Sequence, residues 1–161
     1  MMDDERVKWA RKLHNLVRRN SQLANTYKRL LEQTPEGALH DYISSQIKRG
    51  LEFRMELEEE IQNLNFDLTS FKTPLIHTAF KGRYLGTLGK NVPLLVKYSI
   101  KQKKTLLRLY QKTLTRINDG PIREKLIRHI ARSEEELQEL NQFESEIRTH
   151  KGFSNSMLNR E

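Results

Sequence analysis

Apolar residues recur at intervals of three and four along almost the whole of this chain, and this spacing is the strongest constraint on its fold. In the first of four such segments they include Trp9, Leu13, Leu16, Tyr27 and Leu30. Intervals of three and four place side chains on one face of an α-helix. Because only four prolines and seven glycines interrupt the pattern, the sequence predicts an all-α fold.

Turn and capping signals divide the pattern into separate helices. Thr34 before Pro35 and Asn91 before Pro93 are typical helix starts, and Asn118-Asp119-Gly120 is a turn signal. Together they predict a four-helix-bundle domain over residues 1–150, with helices over residues 4–33, 35–64, 74–88, 91–118 and 121–150, and a frayed tail over residues 151–161. The helix over 74–88 is short, and the other four are long. Two hairpins joined by a long crossover that carries this short helix have the connectivity of ferritin-like folds.

The third long helix is predicted to have a cationic face. Seven basic residues and no Asp or Glu lie between Asn91 and Asn118. Five of the seven follow each other at steps of four, three, four and four, and we call them the basic stripe: Lys97, Lys101, Lys104, Arg108 and Lys112. The stripe is predicted to face solvent, since Leu95, Leu106 and Leu109 lie opposite it. It is a candidate anion-binding surface for a nucleic acid, an anionic membrane surface or an acidic protein.

Charge is unevenly distributed along the chain, which has a net charge of +8. Residues 72–132 contain 15 basic residues and two acidic ones, whereas glutamates cluster at residues 52–60 and 134–146. The interpretation that we favour from the sequence is that these glutamates, from the same chain or from a second copy, lie beside the stripe and neutralise much of its field. A stripe left free for a polyanion is the alternative. A homodimer, an acidic protein and a polyanion are therefore the predicted partners.

Several classes of protein are excluded or disfavoured by the residues themselves. The chain has no cysteine, which excludes disulfides and thiolate metal sites, and it has no phosphate-binding loop or Gly-x-Ser-x-Gly motif. No apolar run approaches the ~20 residues of a membrane span, and the first residues lack the apolar core of a signal peptide. The sequence therefore predicts a cytoplasmic protein without a transmembrane segment.

Residues in the first and third long helices carry a family resemblance. Leu13-His14-Asn15-Leu16 is followed by Tyr27, and the third helix contains the segment LLRLYQKTL over residues 106–114. With a crossover helix before a Gly-x-Asn start, the stretch from Leu13 to Arg148 resembles a family of bacterial ferritin-like four-helix-bundle proteins of unknown function. The resemblance implies the fold, a bacterial origin and an association with stress-related proteins. It implies no activity.

The usual metal chemistry of ferritin-like bundles has no support in this sequence. A di-metal site takes a Glu from each of two helices and a Glu-x-x-His motif from each of the others. The residues three positions before the five histidines are Arg11, Gly37, Pro74, Leu126 and Ile147, and the third long helix has no carboxylate. Alignment with the family puts Ala24, either Arg49 or Arg54, and either His129 or Ser133 at interior positions. We therefore expect no metal, no cofactor and no catalytic residue, and hence a non-enzymatic structural or binding module.

Polar residues nevertheless fall on or near the core-facing sides of the helices. These residues form the predicted polar layer: Asn20, Ser99, Gln102 and Ser133. Our preferred interpretation is a hydrogen-bonded layer that sets the helix register, a known role of buried Asn. The alternative is a small polar pocket that binds a ligand or a water.

Overall fold

The structure, a computed structural model, describes residues 2–66 and 88–158, with side chains from residue 4 to 66 and from 88 to 149. Four long helices make up nearly all of this part of the chain, and it contains no strand. They are α1 (Met2–Gln33), α2 (Ala38–Asn63), α3 (Val92–Arg116) and α4 (Gly120–Leu158). Residues 88–90 are also helical. The all-α prediction is confirmed for the described residues.

The helix starts test the capping predictions. Asn91 caps α3, since its side-chain oxygen accepts a hydrogen bond from the Leu94 N–H at 3.1 Å, and Pro93 lies in the first turn. Asp119 does the same for α4, where its carboxylate accepts from the Ile122 N–H at 3.1 Å. Both starts depend on a local side-chain acceptor, which is why the sequence indicates them.

The start of α2 differs from the prediction. Thr34 does not cap this helix, because its hydroxyl donates at 2.6 Å to the Leu30 carbonyl, one turn back in α1. The chain then turns at Gly37, whose φ of 151° is open to glycine but strained for other residues, and α2 begins at Ala38 instead of Pro35. Thr34 thus belongs to the end of α1.

The remaining boundaries concern the crossover and the C-terminus. The predicted helix over residues 74–88 lies outside the described residues except for Leu88. α4 continues as a helix to Leu158, whereas the sequence predicts its end at His150 and a frayed tail beyond. No helix in the described ranges is both long and apolar enough to cross a membrane.

The four long helices pack as two antiparallel hairpins. α1 contacts α2 and α4 contacts α3 within the hairpins, and the hairpins meet through α1 against α3 and through α2 against α4. In the α1–α3 pair Tyr27 meets Tyr98 edge to face at 6.5 Å, and Asn20 bonds to Tyr110 further along. The lower-numbered residue of α1 contacts the higher-numbered residue of α3, so α1 and α3 are antiparallel.

α2 and α4 are antiparallel by the same test. Arg49, midway along α2, contacts Glu136, whereas Glu60, near the end of α2, bonds to Lys125 near the start of α4. The end of α2 therefore lies beside the start of α4. At the opposite end, the chain just before α3 lies against the end of α1, where Gly89 approaches Gln33. The end of α2 and the start of α3 are thus at opposite ends of the bundle.

The apolar core has two parts with a polar zone between them. One part contains Leu13, Leu16, Phe53, Leu57 and Leu126. The other part lies toward the opposite end of the bundle and contains Tyr27, Leu30, Ile43, Leu95 and Leu140. Each fully buried side chain of this size contributes about 1.5–3 kcal/mol to folding. The polar zone between the two parts contains most of the predicted polar layer.

Candidate functional site

The basic stripe lies on the outward face of α3. The side chains of Lys97, Lys101, Lys104, Arg108 and Lys112 are all exposed. On the opposite face Leu95, Leu106 and Tyr110 are buried in the core. The stripe therefore points away from the bundle along its full length, which is about 22 Å from Lys97 to Lys112 at 1.5 Å for each of 15 steps.

The glutamate clusters do not pair with the stripe in the part of the chain that the structure describes. Their ion pairs go to other cations: Arg49, Arg54, Lys103, Lys125 and Arg148. None of the five stripe cations makes an ion pair with a carboxylate of residues 4–66 or 88–149. The interpretation favoured from the sequence, neutralisation of the stripe by these glutamates within one chain, therefore has no ion pair to support it among these residues.

Lys103, also on α3, is buried inside the bundle instead of belonging to the stripe. Its side-chain ammonium donates hydrogen bonds of 2.7 Å to Glu136 of α4 and 2.6 Å to Gln46 of α2. Lys103 is 6% exposed and Glu136 is 5% exposed. An ion pair this deep has little access to water, so its stability depends on how completely its hydrogen bonds are satisfied.

Two residues of α2 complete this arrangement around the Glu136 carboxylate. Gln46 donates its side-chain N–H at 2.6 Å to the oxygen that also accepts from Lys103, and Arg49 donates to the other oxygen. We call Gln46, Arg49, Lys103 and Glu136 the buried network. Although burial favours the neutral acid, Lys103, Gln46 and Arg49 outweigh it and hold the pKa of Glu136 below its ordinary value. The network thus joins α2, α3 and α4 through one ionised carboxylate.

A second hydrogen-bonded pair joins α1 to α3 at the same level of the bundle. The Tyr110 hydroxyl donates at 2.9 Å to the side-chain oxygen of Asn20, whose amide N–H donates at 2.8 Å to the Leu16 carbonyl. Burial raises the pKa of Tyr110, so it stays protonated and keeps donating. Asn20 therefore lies where the polar layer was predicted, with its bonds satisfied.

The other predicted members of the polar layer have different positions. Ser99 and Ser133 are buried, and the Ser99 hydroxyl finds no hydrogen-bond partner among the described residues. Gln102 is only half-buried and lines a groove between α1 and α3. Gln102 therefore lies at the edge of the predicted layer, one residue before the buried Lys103.

The polar zone contains one small cavity. Its volume is about 20 Å³, and its lining includes Asn20, Tyr27, Lys103, Tyr110 and Glu136. That space fits about one water molecule with several polar partners, and no substrate-sized ligand. Within the described residues, the geometry therefore favours a layer that sets helix register over a ligand pocket.

His129 borders the buried network but makes aromatic contacts. Its ring stacks on Phe53 with 3.6 Å between ring centres and 7° between ring planes, and it meets Tyr110 edge to face. Burial and then the nearby Lys103 charge lower the pKa of His129 to about 4. The imidazole is therefore neutral at neutral pH and serves as part of the packing.

Two of the surface grooves lie wholly among the described residues and differ in charge. The α2–α4 groove has a volume of about 290 Å³ and carries cations such as Arg128 and Arg132 together with Glu52 and Glu56. The α1–α3 groove has a volume of about 170 Å³ and is lined by Arg19 and by uncharged side chains, with no carboxylate among them. Of these two grooves, the second has charge of a single sign.

The buried network is the feature that sequence reasoning missed. The sequence pattern groups Lys103 with the basic residues of its helix, and Glu136 with its neighbours in a glutamate cluster. Helical spacing offers a signal, since Lys103 lies four residues after Ser99 and Glu136 three after Ser133, both core positions. Arg49 was one of two alternatives for an interior position, and the structure places it in the network.

The residues of the polar zone do not fit a di-metal centre. Such a centre takes four or more carboxylate and imidazole ligands, whereas this zone offers one carboxylate, which already binds Lys103 and Arg49. A lysine and an arginine beside it would repel a divalent ion. In residues 4–66 and 88–149, no three His, Asp or Glu side chains are grouped as metal ligands would be.

Comparisons with known proteins do not extend this picture. Neither the protein-family models, nor the curated proteins, nor the solved structures contain a match to this chain. The resemblance to ferritin-like proteins thus stays a prediction from sequence.

Proposed function

We propose that this chain is a non-enzymatic helical bundle of ferritin-like connectivity that acts as a binding module, with the basic stripe as its binding surface for polyanions. The observation that carries the proposal is the exposure of the stripe and its lack of ion pairs among the described residues. All five cations are exposed on one outward helix face, and none is paired with a carboxylate in the described ranges. A row of unpaired cations of this length suits a ligand with regularly spaced negative charges.

Magnitudes favour binding that is nonspecific and sensitive to salt. Five cations that each neutralise one phosphate of duplex DNA give a slope of log K against log salt of about −4.5. The exposed residues of α3 include no aromatic side chain on which a base could stack. The proposed contacts are therefore to phosphates.

Two features of the bundle support the other parts of the proposal. The antiparallel α1–α3 and α2–α4 pairs, with the end of α2 and the start of α3 at opposite ends, are compatible with the two-hairpin connectivity of ferritin-like folds. The polar zone, with one carboxylate between two cations, supports a bundle without the metal chemistry of that class. Incubation with iron, manganese and zinc should leave no bound metal after gel filtration, and two ions retained per chain would contradict this part.

Fluorescence anisotropy with a labelled DNA duplex, at about 50 and 200 mM salt, tests the binding surface. The test variant reverses three stripe charges: Lys101→Glu, Lys104→Glu and Arg108→Glu. The control reverses three exposed cations of the other face and changes net charge equally: Lys48→Glu, Arg128→Glu and Arg132→Glu. We expect the test variant to lose binding and the control to keep most of it. Equal losses in both variants would mean that net charge, and not the stripe, drives binding.

Exposed glutamates on α4 favour a second candidate function, the association of two copies of this chain. Glu134, Glu135 and Glu139 of α4 are exposed and make no ion pair within the described residues. They could neutralise the stripe of a second copy, giving the homodimer expected from the sequence. Sedimentation velocity at low and high salt tests this, since such a dimer dissociates as salt is raised. A monomer at both salt concentrations excludes it.

A further inference from the structure

The stripe is only half of a larger carboxylate-free surface, because α1 carries a second row of cations beside it. Between residues 6 and 31 the chain has eight basic residues and no Asp or Glu. The four acids of α1 lie at its two ends: Asp3, Asp4, Glu5 and Glu32. α1 packs directly against α3. The fold therefore brings together the two long segments of the chain that lack carboxylates.

The other two helices show the opposite balance. α2 and α4 together contain 13 acidic and nine basic residues, whereas α1 and α3 together contain 15 basic and four acidic residues. Since α2 packs with α4 and α1 with α3, the bundle has one strongly cationic side and one side of mixed charge. This segregation is invisible in the order of the sequence, where the helices alternate.

Helical spacing places part of the α1 cations at the edge of the α1–α3 groove. Lys8, Lys12 and Arg19 lie on one row with the groove residues Gln22 and Thr26, at intervals of three and four or their sum. Lys8 and Arg19 are exposed and Lys12 is half-buried. On α3 the groove row of Tyr98, Gln102 and Thr105 continues by the same spacing to Lys112 and Arg116. Beyond Arg19, which lines the groove, the two rows thus continue into cations toward the same end of the bundle: Lys8 and Lys12 on α1, and Lys112 and Arg116 on α3.

The floor of the groove offers uncharged hydrogen-bonding groups. Gln22 and Gln102 are half-buried there, and neither side-chain amide has a hydrogen-bond partner in residues 4–66 and 88–149. The hydroxyls of Thr26 and Thr105 donate to carbonyls of their own helices at 3.1 and 2.9 Å, which leaves their oxygens able to accept. Amide donors between two cationic rows suit phosphate and sugar oxygens.

We infer that the α1–α3 face as a whole is a two-row surface for the sugar–phosphate backbone of double-stranded nucleic acid, with Lys8, Lys12 and Arg19 as the second row. This inference rests on the proposed function and adds a second helix and a duplex ligand to it. Duplex fits better than an anionic membrane, because the exposed residues of this face are nearly all polar. Among the described residues, the exposed large apolar side chains include only Leu94 on α1 or α3, whereas membrane-surface helices insert several.

The salt dependence of duplex binding measures how many cations contact phosphates, and so shows whether one row of cations binds or both. With eight cations in contact, the slope of log K against log salt is about −7, compared with about −4.5 for the stripe alone. Neutralising the second row with Lys8→Gln, Lys12→Gln and Arg19→Gln should make the slope shallower by about 2.7. The matched control, Lys48→Gln, Arg128→Gln and Arg132→Gln, removes the same net charge from α2 and α4 and should leave the slope nearly unchanged.

The outcomes separate this inference from the proposed function. If the α1 variant keeps the wild-type slope while the stripe variant loses binding, the inference of a second row is wrong, and the proposed binding by the stripe is supported. If the wild-type chain binds neither duplex nor phosphatidylserine vesicles at about 50 mM salt, both fail. Binding to phosphatidylserine vesicles without binding to duplex overturns the nucleic-acid ligand. Circular dichroism checks the fold of each variant, and the single change Arg19→Glu at an exposed position replaces the triple variant if that one unfolds.

Discussion

Lys103 and Glu136 form an ion pair of 2.7 Å in the middle of the bundle, where both side chains are almost fully removed from water. Desolvating two charges costs several kcal/mol for each, and the cost is recovered only when further hydrogen bonds satisfy them. Here Gln46 bonds to both partners, and Arg49 bonds to the carboxylate. The pair therefore fixes the relative positions of three helices more than it adds net stability.

Breaking this pair should be costly, whereas replacing it should not. Lys103→Met leaves Glu136 buried with fewer partners, and we expect a loss of about 3 kcal/mol in the free energy of unfolding, measured by urea denaturation. Adding Glu136→Leu should recover much of that loss, because the uncompensated charge is removed as well. As a control, Arg54→Ala breaks the partly exposed pair with Glu58 and should cost no more than about 0.5 kcal/mol. A double variant less stable than Lys103→Met would contradict this account.

Acid should destabilise the protein in two stages. The folded-state pKa of His129 is about 4, below the ordinary histidine value of 6.5. Between these pH values only the unfolded state binds the proton, so stability falls as pH decreases, by up to about 3 kcal/mol. The depressed pKa of Glu136 adds a further loss at lower pH, since its stabilisation is lost as pH falls from the unfolded pKa, near 4.5, through the folded pKa. Urea denaturation at a series of pH values measures both stages.

His129→Phe isolates the first stage. Phenylalanine keeps the stacking on Phe53 and removes the titrating group, so the variant should lose little stability between pH 6.5 and 4 while retaining the later loss from Glu136. If the unfolding free energy of the wild-type protein does not change with pH over this range, His129 is less desolvated than the structure indicates.

The helices could be predicted from the sequence because their determinants are local. Apolar spacing defines the buried face of each helix, and Asn91 and Asp119 supply caps within three residues of the groups they bind. Thr34 was assigned wrongly because its hydroxyl has two local choices, a cap for α2 or the carbonyl of Leu30, and the sequence does not rank them. The outward direction of the stripe follows from the buried leucines opposite it.

The buried network could not be predicted in the same way. Lys and Glu are seldom fully buried unless paired, so each residue taken singly is assigned to the surface. Pairing Lys103 with Glu136 and Gln46 requires the axial positions of three helices relative to one another, which depend on packing across the bundle. The same holds for the cationic α1–α3 face, since neither helix sequence shows which neighbour it packs against.

The buried hydrogen bond from Tyr110 to Asn20 should contribute measurably to the free energy of unfolding. Tyr110→Phe removes only the donor and leaves the Asn20 oxygen buried without it, and we expect a loss of about 1–2 kcal/mol in unfolding free energy. Combining it with Asn20→Leu removes both partners and should cost less than the sum of the two single changes. Additive losses in the double-mutant cycle would indicate that the two side chains do not interact.

A pair of glycine substitutions tests how the chain before α3 meets the end of α1. A Cβ on Gly89 would lie 2.6 Å from the Gln33 Cβ and 3.3 Å from the Leu30 carbonyl oxygen, so Gly89→Ala requires backbone movement and should cost about 1–3 kcal/mol. Gly50, in the middle of α2, has no atom within 4 Å of its added Cβ. Gly50→Ala should therefore stabilise the protein by about 0.5–1 kcal/mol through helix propensity alone. Thermal denaturation of the two variants compares them directly. A neutral Gly89→Ala would indicate that the chain before α3 packs less closely against the end of α1 than the structure shows.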